Sequence, residues 1–238
     1  MAPVVNVKIC GLTTLEDARA ALAAGADLLG FIFYAKSARA VDGDTVRAIV
    51  RAVRADVAAA RRTAPNQVSS LPLFTPAPRL PRMVGVFVNA PLADVRHALE
   101  FCRLDYAQLH GDEPVDDLFA LGGRAYKAIR PAATARALSD AALYSAQVRH
   151  RGPHLLVDAY DPAAYGGTGT RGDWALAARV AGETRRMLLA GGLTAANVAD
   201  AVRTVRPWGV DVSSGVESSP GHKDHDAIRR FIANARAA

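Results

Sequence analysis

Eight short apolar segments alternate with eight helix-like segments along this chain, and that alternation limits the fold more than any other feature. The strand-like segments fall at 4–9, 28–33, 82–88, 106–109, 124–129, 154–157, 187–190 and 209–212. The helix-like ones fall at about 14–24, 44–60, 91–101, a short stretch from 114, 134–145, 174–180, 195–204 and 223–236. Strands that alternate with helices lie parallel and are joined by right-handed crossovers. Eight such units close into a (β/α)8 barrel; an open doubly wound sheet is the alternative. The first strand–helix turn carries no Gly-x-Gly-x-x-Gly dinucleotide fingerprint, which disfavours the open sheet. The 238 residues fit a single barrel domain.

The first strand shows how such a unit works. Val5, Val7 and Ile9 fall on one side; Asn6, Lys8 and Cys10 fall on the other. Gly11 then turns the chain. Thr13 and Thr14 offer a helix cap, with Glu16 and Asp17 in the first turn. A Pro-rich stretch at about 63–81 interrupts the rhythm between the second helix and the third strand, with Pro65, Pro72, Pro76, Pro78 and Pro81. It reads as a loop insert. Because it follows a helix, it belongs on the barrel face away from the chemistry.

Composition narrows the class. Half the residues are hydrophobic, enough for one large core, yet no apolar run reaches the ~18 residues of a membrane span. Cys10 and Cys102 are too few for a disulfide scaffold or a four-thiolate metal site. The opening residues enter a strand at once rather than a basic-then-apolar leader, so the expectation is a cytoplasmic protein. The net charge of +6 reads as a solvated basic surface, with Arg47, Arg51 and Arg54 at helical spacing. Attraction of a polyanionic small substrate is the sharper alternative. No aromatic-interleaved basic stripe supports nucleic-acid binding.

In a barrel the chemistry sits at the C-terminal ends of the strands. There the chain places Cys10, the Lys36–Arg39 loop, Asn89, Gln108 with His110, Arg130, Asp158, Gly191-Gly192, and Asp211 with Ser213-Ser214-Gly215. Cys10 reads as a general base or nucleophile, against small buried filler. Lys8 shares its face and would favour the thiolate. Because strand eight closes on strand one, Lys8 can also pair with Asp211. Asp158 reads as an acid or base across the mouth from Cys10, against a loop carboxylate. Gly192, Ser214 and Gly215 sit in the loops after strands seven and eight, where barrels bind phosphate through backbone N–H groups. Gly166-Gly167-Thr168-Gly169 could add a lid or further donors. Arg39 can grip a carboxylate, against a surface role. His110 is a candidate substrate contact, weighed against a structural hydrogen bonder. His222 and His225 have a metal-like spacing but no third ligand, so no metal site is expected.

Taken together, these segments resemble the phosphoribosylanthranilate isomerase family. The matching pieces are Lys8-Ile9-Cys10-Gly11-Leu12, Ser37-x-Arg39, Gln108-Leu109-His110-Gly111, Gly166-Gly167-Thr168-Gly169, Ala190-Gly191-Gly192-Leu193 and 211–217. The resemblance implies an Amadori rearrangement of N-(5-phosphoribosyl)anthranilate to 1-(2-carboxyphenylamino)-1-deoxyribulose 5-phosphate, a step of tryptophan biosynthesis. It implies Asp158 as the general acid and Cys10 as the general base. Arg39 would meet the anthranilate carboxylate, Asp211 a sugar hydroxyl, and the Gly192 and Ser214-Gly215 loops the phosphate. It implies no metal or organic cofactor, a phosphorylated small-molecule partner, and a monomer or homodimer. The chain departs from the family pattern at Gly172, where an aromatic residue commonly precedes Asp-Trp, and in its longer Pro-rich insert. An indole-glycerol-phosphate synthase would want a lysine acid–base pair, and a ribulose-phosphate epimerase would want metal ligands. A silent sugar-phosphate-binding barrel would have no use for Cys10 with Asp158.

Overall fold

The computed structural model describes residues 5–63, 79–130, 134–146, 148, 151–158 and 173–238. Eight parallel strands form a closed ring in sequence order. They are β1 (Asn6–Ile9), β2 (Leu28–Ile32), β3 (Arg82–Phe87), β4 (Tyr106–Leu109), β5 (Ala125–Ile129), β6 (Leu155–Asp158), β7 (Met187–Ala190) and β8 (Gly209–Val212). The helices between and after them are α1 (Leu15–Ala24), α2 (Gly43–Thr63), α3 (Leu92–Phe101), α4 (Val115–Ala120), α5 (Thr134–Ser145), α6 (Trp174–Glu183), α7 (Val198–Val205) and α8 (His225–Arg236). The ring shuts where β8 lies parallel to β1, pairing Lys8 with Asp211 and Ile9 with Val212 in register. The expected eightfold barrel is therefore the fold.

Strand alternation sorts two cores. One side of each strand packs outward against the helices, as Val7, Ile9, Leu29, Phe31, Leu109, Leu155 and Val210 do. The other side fills the barrel, where Leu28, Val84, Tyr106, Tyr126, Ala128, Leu156 and Leu188 form a separate apolar cluster. Lys8, Gln108 and Asp211 are also buried. The unit boundaries follow from capping. The Thr14 side chain accepts from the Asp17 N–H, and α1 ends at Gly25 with φ of 91°.

Two boundaries differ from the sequence reading. Helix α7 begins at Val198 rather than near 195, because Asn197 Oδ1 accepts the Thr194 N–H and makes a turn of the intervening residues. The last helix begins at His225, not 223. Residues before it form an antiparallel pair, β9 (Glu217–Ser219) and β10 (His222–Lys223), which turns at Gly221 with φ of 85°. Asp224 then caps α8 by accepting the Ala227 N–H. Residues 64–78 of the Pro-rich stretch lie outside the described residues. The flanking Arg79 and Leu80 line a cleft with Asn6, Asp27 and Trp208, at the end of the barrel where strands begin.

A buried ion pair ties together the loops after β3 and β4. Glu113 and Lys127 are 5% and 4% exposed, and Lys127 Nζ lies 2.6 Å from Glu113 Oε2. Glu113 also accepts the N–H groups of Asn89 and Gly111, and Lys127 donates to the Gly111 carbonyl oxygen. Asn89 adopts a φ of 51°, and a Cβ at Gly111 would lie 2.2 Å from Asn89 Oδ1, so only glycine fits there. Burial by itself would raise the Glu113 carboxyl. The Lys127 ammonium and the N–H donors outweigh it and hold the group below the ordinary carboxylate range.

Removing one partner leaves the other charge buried and unpaired. Lys127→Met should cost about 3 kcal/mol or more of unfolding free energy in a urea titration. Because the folded carboxyl is depressed, its contribution is complete above the ordinary carboxylate value and fades as pH falls through the folded one. Glu113→Gln should therefore flatten the loss of stability below about pH 4, measured as Tm against pH.

Candidate active site

Cys10 follows β1 at the mouth of the barrel and is 5% exposed. It has room because β2 supplies Gly30 opposite: a Cβ there would sit 2.8 Å from Cys10 Sγ and 3.1 Å from Lys8 Cε. Burial raises the thiol above its ordinary value. Lys8 and, more weakly, Lys223 pull the other way, while the Asp211 carboxylate adds to the rise. The sequence expectation that Lys8 favours the thiolate is right in sign, but desolvation outweighs it.

Lys8 and Asp211 form the expected pair, with Nζ 3.0 Å from Oδ1. Lys8 is fully buried. Burial alone would discharge it, but Asp211, Cys10 and Tyr126 together hold the ammonium charged and its pKa above the ordinary lysine value. Asp211 Oδ2 takes no hydrogen bond among the described residues.

Asp158 ends β6, and its register partner on β7 is Ala190. Its Oδ2 lies 3.8 Å from His110 Nε2 and 3.7 Å from Arg130 Nε. The structure thus brings together three strand-end residues, from β4, β5 and β6. His110 Nδ1 is 3.0 Å from Gln108 Nε2, and the Gln108 Oε1 accepts from the Tyr126 hydroxyl at 2.8 Å. A cavity of about 740 Å³ opens beside His110, with Tyr34, Asn89, Lys127, Ile129 and Arg130 among its walls. That volume suits a small organic ligand.

Arg39 is already engaged. Its Nε and Nη2 donate to the two oxygens of Glu217 at 2.8 and 2.7 Å. Glu217 in turn accepts from Lys223 Nζ at 2.7 Å, and Lys223 also donates to the Ser213 carbonyl oxygen. Burial would raise the Glu217 carboxyl, but Arg39 and Lys223 together hold it below its ordinary range. This triad pins the loop after β2 to the β9–β10 hairpin and presses Arg39 over Gly11, where an added Cβ would lie 2.7 Å from Arg39 Cδ. The Nη1 group of Arg39 donates to nothing among the described residues. Glu217 stands inside a motif that the sequence reading quoted without giving it a role. Lys223 carried no signal at all, since it was read as the first residue of the last helix and not as the end of a hairpin.

The loops after β7 and β8 pack against each other. Gly191 and Gly192 adopt φ of 97° and 62°. Gly215 packs so closely that a Cβ would fall 1.9 Å from the Leu193 carbonyl oxygen. Asn197 Nδ2 donates to the Gly192 carbonyl oxygen, which holds the loop. Ser214–Val216 is a single 3-10 turn, whose first N–H groups, those of Ser214 and Gly215, have no partner within the turn. The Gly166–Gly169 loop and Gly172 lie outside the described residues. His225 bonds Asp17 at 2.8 Å, and His222 is an exposed residue of β10. No group of three or more His, Cys, Asp or Glu among the described residues is placed to hold a metal ion, and no described helix is long and apolar enough to cross a membrane.

The whole chain has relatives. A family model described as N-(5'phosphoribosyl)anthranilate (PRA) isomerase matches residues 56–234. The N-(5'-phosphoribosyl)anthranilate isomerase of Roseiflexus sp. is 46% identical over 98% of this chain and 99% of its own length. That of Geobacter metallireducens is 41% identical over 98% of this chain and all of its own. Among solved structures, the phosphoribosyl anthranilate isomerase of Thermotoga maritima superposes with a TM-score of 0.78 at 35% identity, covering 98% of this chain and 100% of that one. A structure of phosphoribosyl anthranilate isomerase bound to reduced 1-(o-carboxyphenylamino)-1-deoxyribulose 5-phosphate gives 0.75 at 33% identity, with the same coverage. A barrel matched over 98% of its residues at this identity belongs to the phosphoribosylanthranilate isomerase family.

Proposed function

We propose that this chain catalyses the Amadori rearrangement of N-(5-phosphoribosyl)anthranilate to 1-(2-carboxyphenylamino)-1-deoxyribulose 5-phosphate, in the cytoplasm, as a step of tryptophan biosynthesis. The observation that carries this reading is the presence of two proton-handling groups at the ends of β1 and β6, Cys10 and Asp158, in a barrel of this family. The strands are separated around the ring by β7 and β8 on one side and by β2 to β5 on the other. A substrate held in the mouth is therefore reached from two sides.

In this reading Asp158 gives its proton to the ribose ring oxygen. The C1–O bond breaks, nitrogen donates its electron pair, and a protonated Schiff base forms. The Cys10 thiolate then removes the proton from C2, and the C–H electrons neutralise the iminium nitrogen to give an enolamine. Transfer of its C2 hydroxyl proton and protonation of C1 yield the ketone. Every step moves a proton within a set of atoms that is otherwise conserved, so acid–base groups suffice. Arg39 offers its Nη1 edge to the anthranilate carboxylate while Glu217 holds the other edge. His110 lines the cavity that Tyr34 and Arg130 also wall, and contacts the substrate from there. Asp211 keeps Oδ2 for a sugar hydroxyl. The N–H groups of Gly192, Ser214 and Gly215 receive the phosphate; the positive φ of Gly192 and the missing side chain of Gly215 let the backbone come close to an anion. A monomer or homodimer would serve equally, since all these residues come from one chain.

Cys10→Ser and Asp158→Asn should each lower kcat by about 100-fold or more, with product-analogue affinity changed far less, measured by fluorescence of the aminobenzoate product and by calorimetry. Equal turnover in either variant removes that residue from its role. Introduced into a tryptophan-requiring strain that lacks the isomerase, the gene should restore growth, and failure of soluble protein to do so favours the silent barrel. Because burial raises the Cys10 thiol, titration of thiolate absorbance in the free enzyme should place its midpoint above the ordinary ~8.5. The kcat/KM should then keep rising on the alkaline side of neutrality, and Cys10→Ser should abolish that limb.

A further inference from the structure

The interior of the barrel holds a hydrogen-bonded run that the acid–base scheme does not use. It starts at the Tyr126 hydroxyl on β5, passes through the Gln108 side chain on β4, and ends on the imidazole of His110. Tyr126 is fully buried and Gln108 is 1% exposed, so no bulk water competes for their polar atoms. Burial raises the Tyr126 phenol, against the pull of the nearby Lys8 ammonium, and it stays protonated. The phenol O–H donates to Gln108 Oε1 at 2.8 Å. Once Oε1 accepts that hydrogen, the other end of the amide presents N–H to His110 Nδ1 at 3.0 Å. A ring nitrogen that accepts carries no proton, so a neutral His110 carries its proton on Nε2. That Nε2 is buried, has no hydrogen-bond partner among the described residues, and faces Asp158 Oδ2 at 3.8 Å.

We infer that Gln108, oriented by Tyr126, is a positioning residue that fixes the Nε2–H tautomer of His110 and aims that N–H at the acid Asp158. This rests on the assignment of Asp158 as the general acid. The chemistry gives the tautomer a purpose. Before the first step Asp158 must keep its proton, and an Nε2 that already bears hydrogen has no lone pair with which to take it. After the proton has gone to the ring oxygen, the same N–H is a donor for the new carboxylate. The opposite tautomer would do the reverse, drawing the proton from the acid and offering nothing to the anion. Arg130 Nε, 3.7 Å from the same oxygen, favours the carboxylate at all times and cannot make this distinction.

The test reads the tautomer directly. In long-range proton–nitrogen NMR spectra of the full chain labelled with 15N, the His110 signals, assigned by their loss in His110→Asn, should show a bare Nδ1 and a protonated Nε2. Gln108→Glu presents only acceptors, so the ring should turn over to the Nδ1–H form, with kcat reduced about tenfold or more and KM within about threefold. Gln108→Met, which adds no buried charge, should give mixed tautomers and an intermediate kcat. Tyr126→Phe, which frees the amide to rotate, should do the same. A wild-type His110 with its proton on Nδ1 overturns the inference, because the amide would then be turned over with Tyr126 as acceptor. So does a tautomer that switches in Gln108→Glu or mixes in Gln108→Met without any fall in kcat. Absence of isomerase turnover in the wild-type chain instead overturns the function proposed above, and with it the role but not the tautomer.

Discussion

The ion pair between Lys8 and Asp211 is the contact on which the rest of the barrel depends. An ammonium in the interior of a barrel is tolerable only with its charge matched and its hydrogens bonded. Lys8 meets that condition opposite Asp211 in the β1–β8 register, at 3.0 Å. A slip of one residue at that seam would turn Asp211 to the outer, helix-facing side and leave Lys8 unpaired. The pair therefore fixes the register at the one place where the sheet must meet itself. It also fixes Cys10, which stands two residues further along the same face of β1 and leans into the space left by Gly30.

From that seam the interior reads as a graded stack. Its lower part is apolar, with Leu28, Val84, Leu156 and Leu188. Its middle is polar and largely paired within the protein, through Lys8 with Asp211 Oδ1 and Tyr126 with Gln108. Its top holds the Cys10 thiol, the Asp158 carboxyl and the His110 imidazole. The gradient has a physical cause. Polar groups far from water must be paired within the protein, whereas those at the mouth can exchange water for a ligand. The loops around the mouth are held by two further buried ion networks. Glu113 with Lys127 sets the β3–β4 side, and Glu217 with Arg39 and Lys223 sets the β8–β2 side. Family membership and this arrangement agree on one kind of chemistry, proton transfer on an anchored sugar phosphate.

The opposing effects on Cys10 show why a local reading of charge is incomplete. The sequence places a lysine two residues before it, and the sign of that influence is correct. The sulfur is packed opposite Gly30 and feels the charge of Lys223, and both come from elsewhere in the chain. Likewise Arg39 was legible as a cation at a strand end, but its bidentate partner Glu217 lies 178 residues away.

The sequence by itself determined the number and order of the units, the face on which Cys10, Asp158, Asp211 and the glycine loops stand, and the Lys8–Asp211 pairing. Those follow from period-two strands, from capping residues such as Thr14 and Gly25, and from the rule that the eighth strand closes on the first. Only the tertiary structure decided which side chains share a hydrogen bond, that burial raises the thiol, and that residues 217–223 form a hairpin. Such features depend on desolvation and on contacts between residues far apart in sequence, and neither quantity is written in any local stretch of the chain.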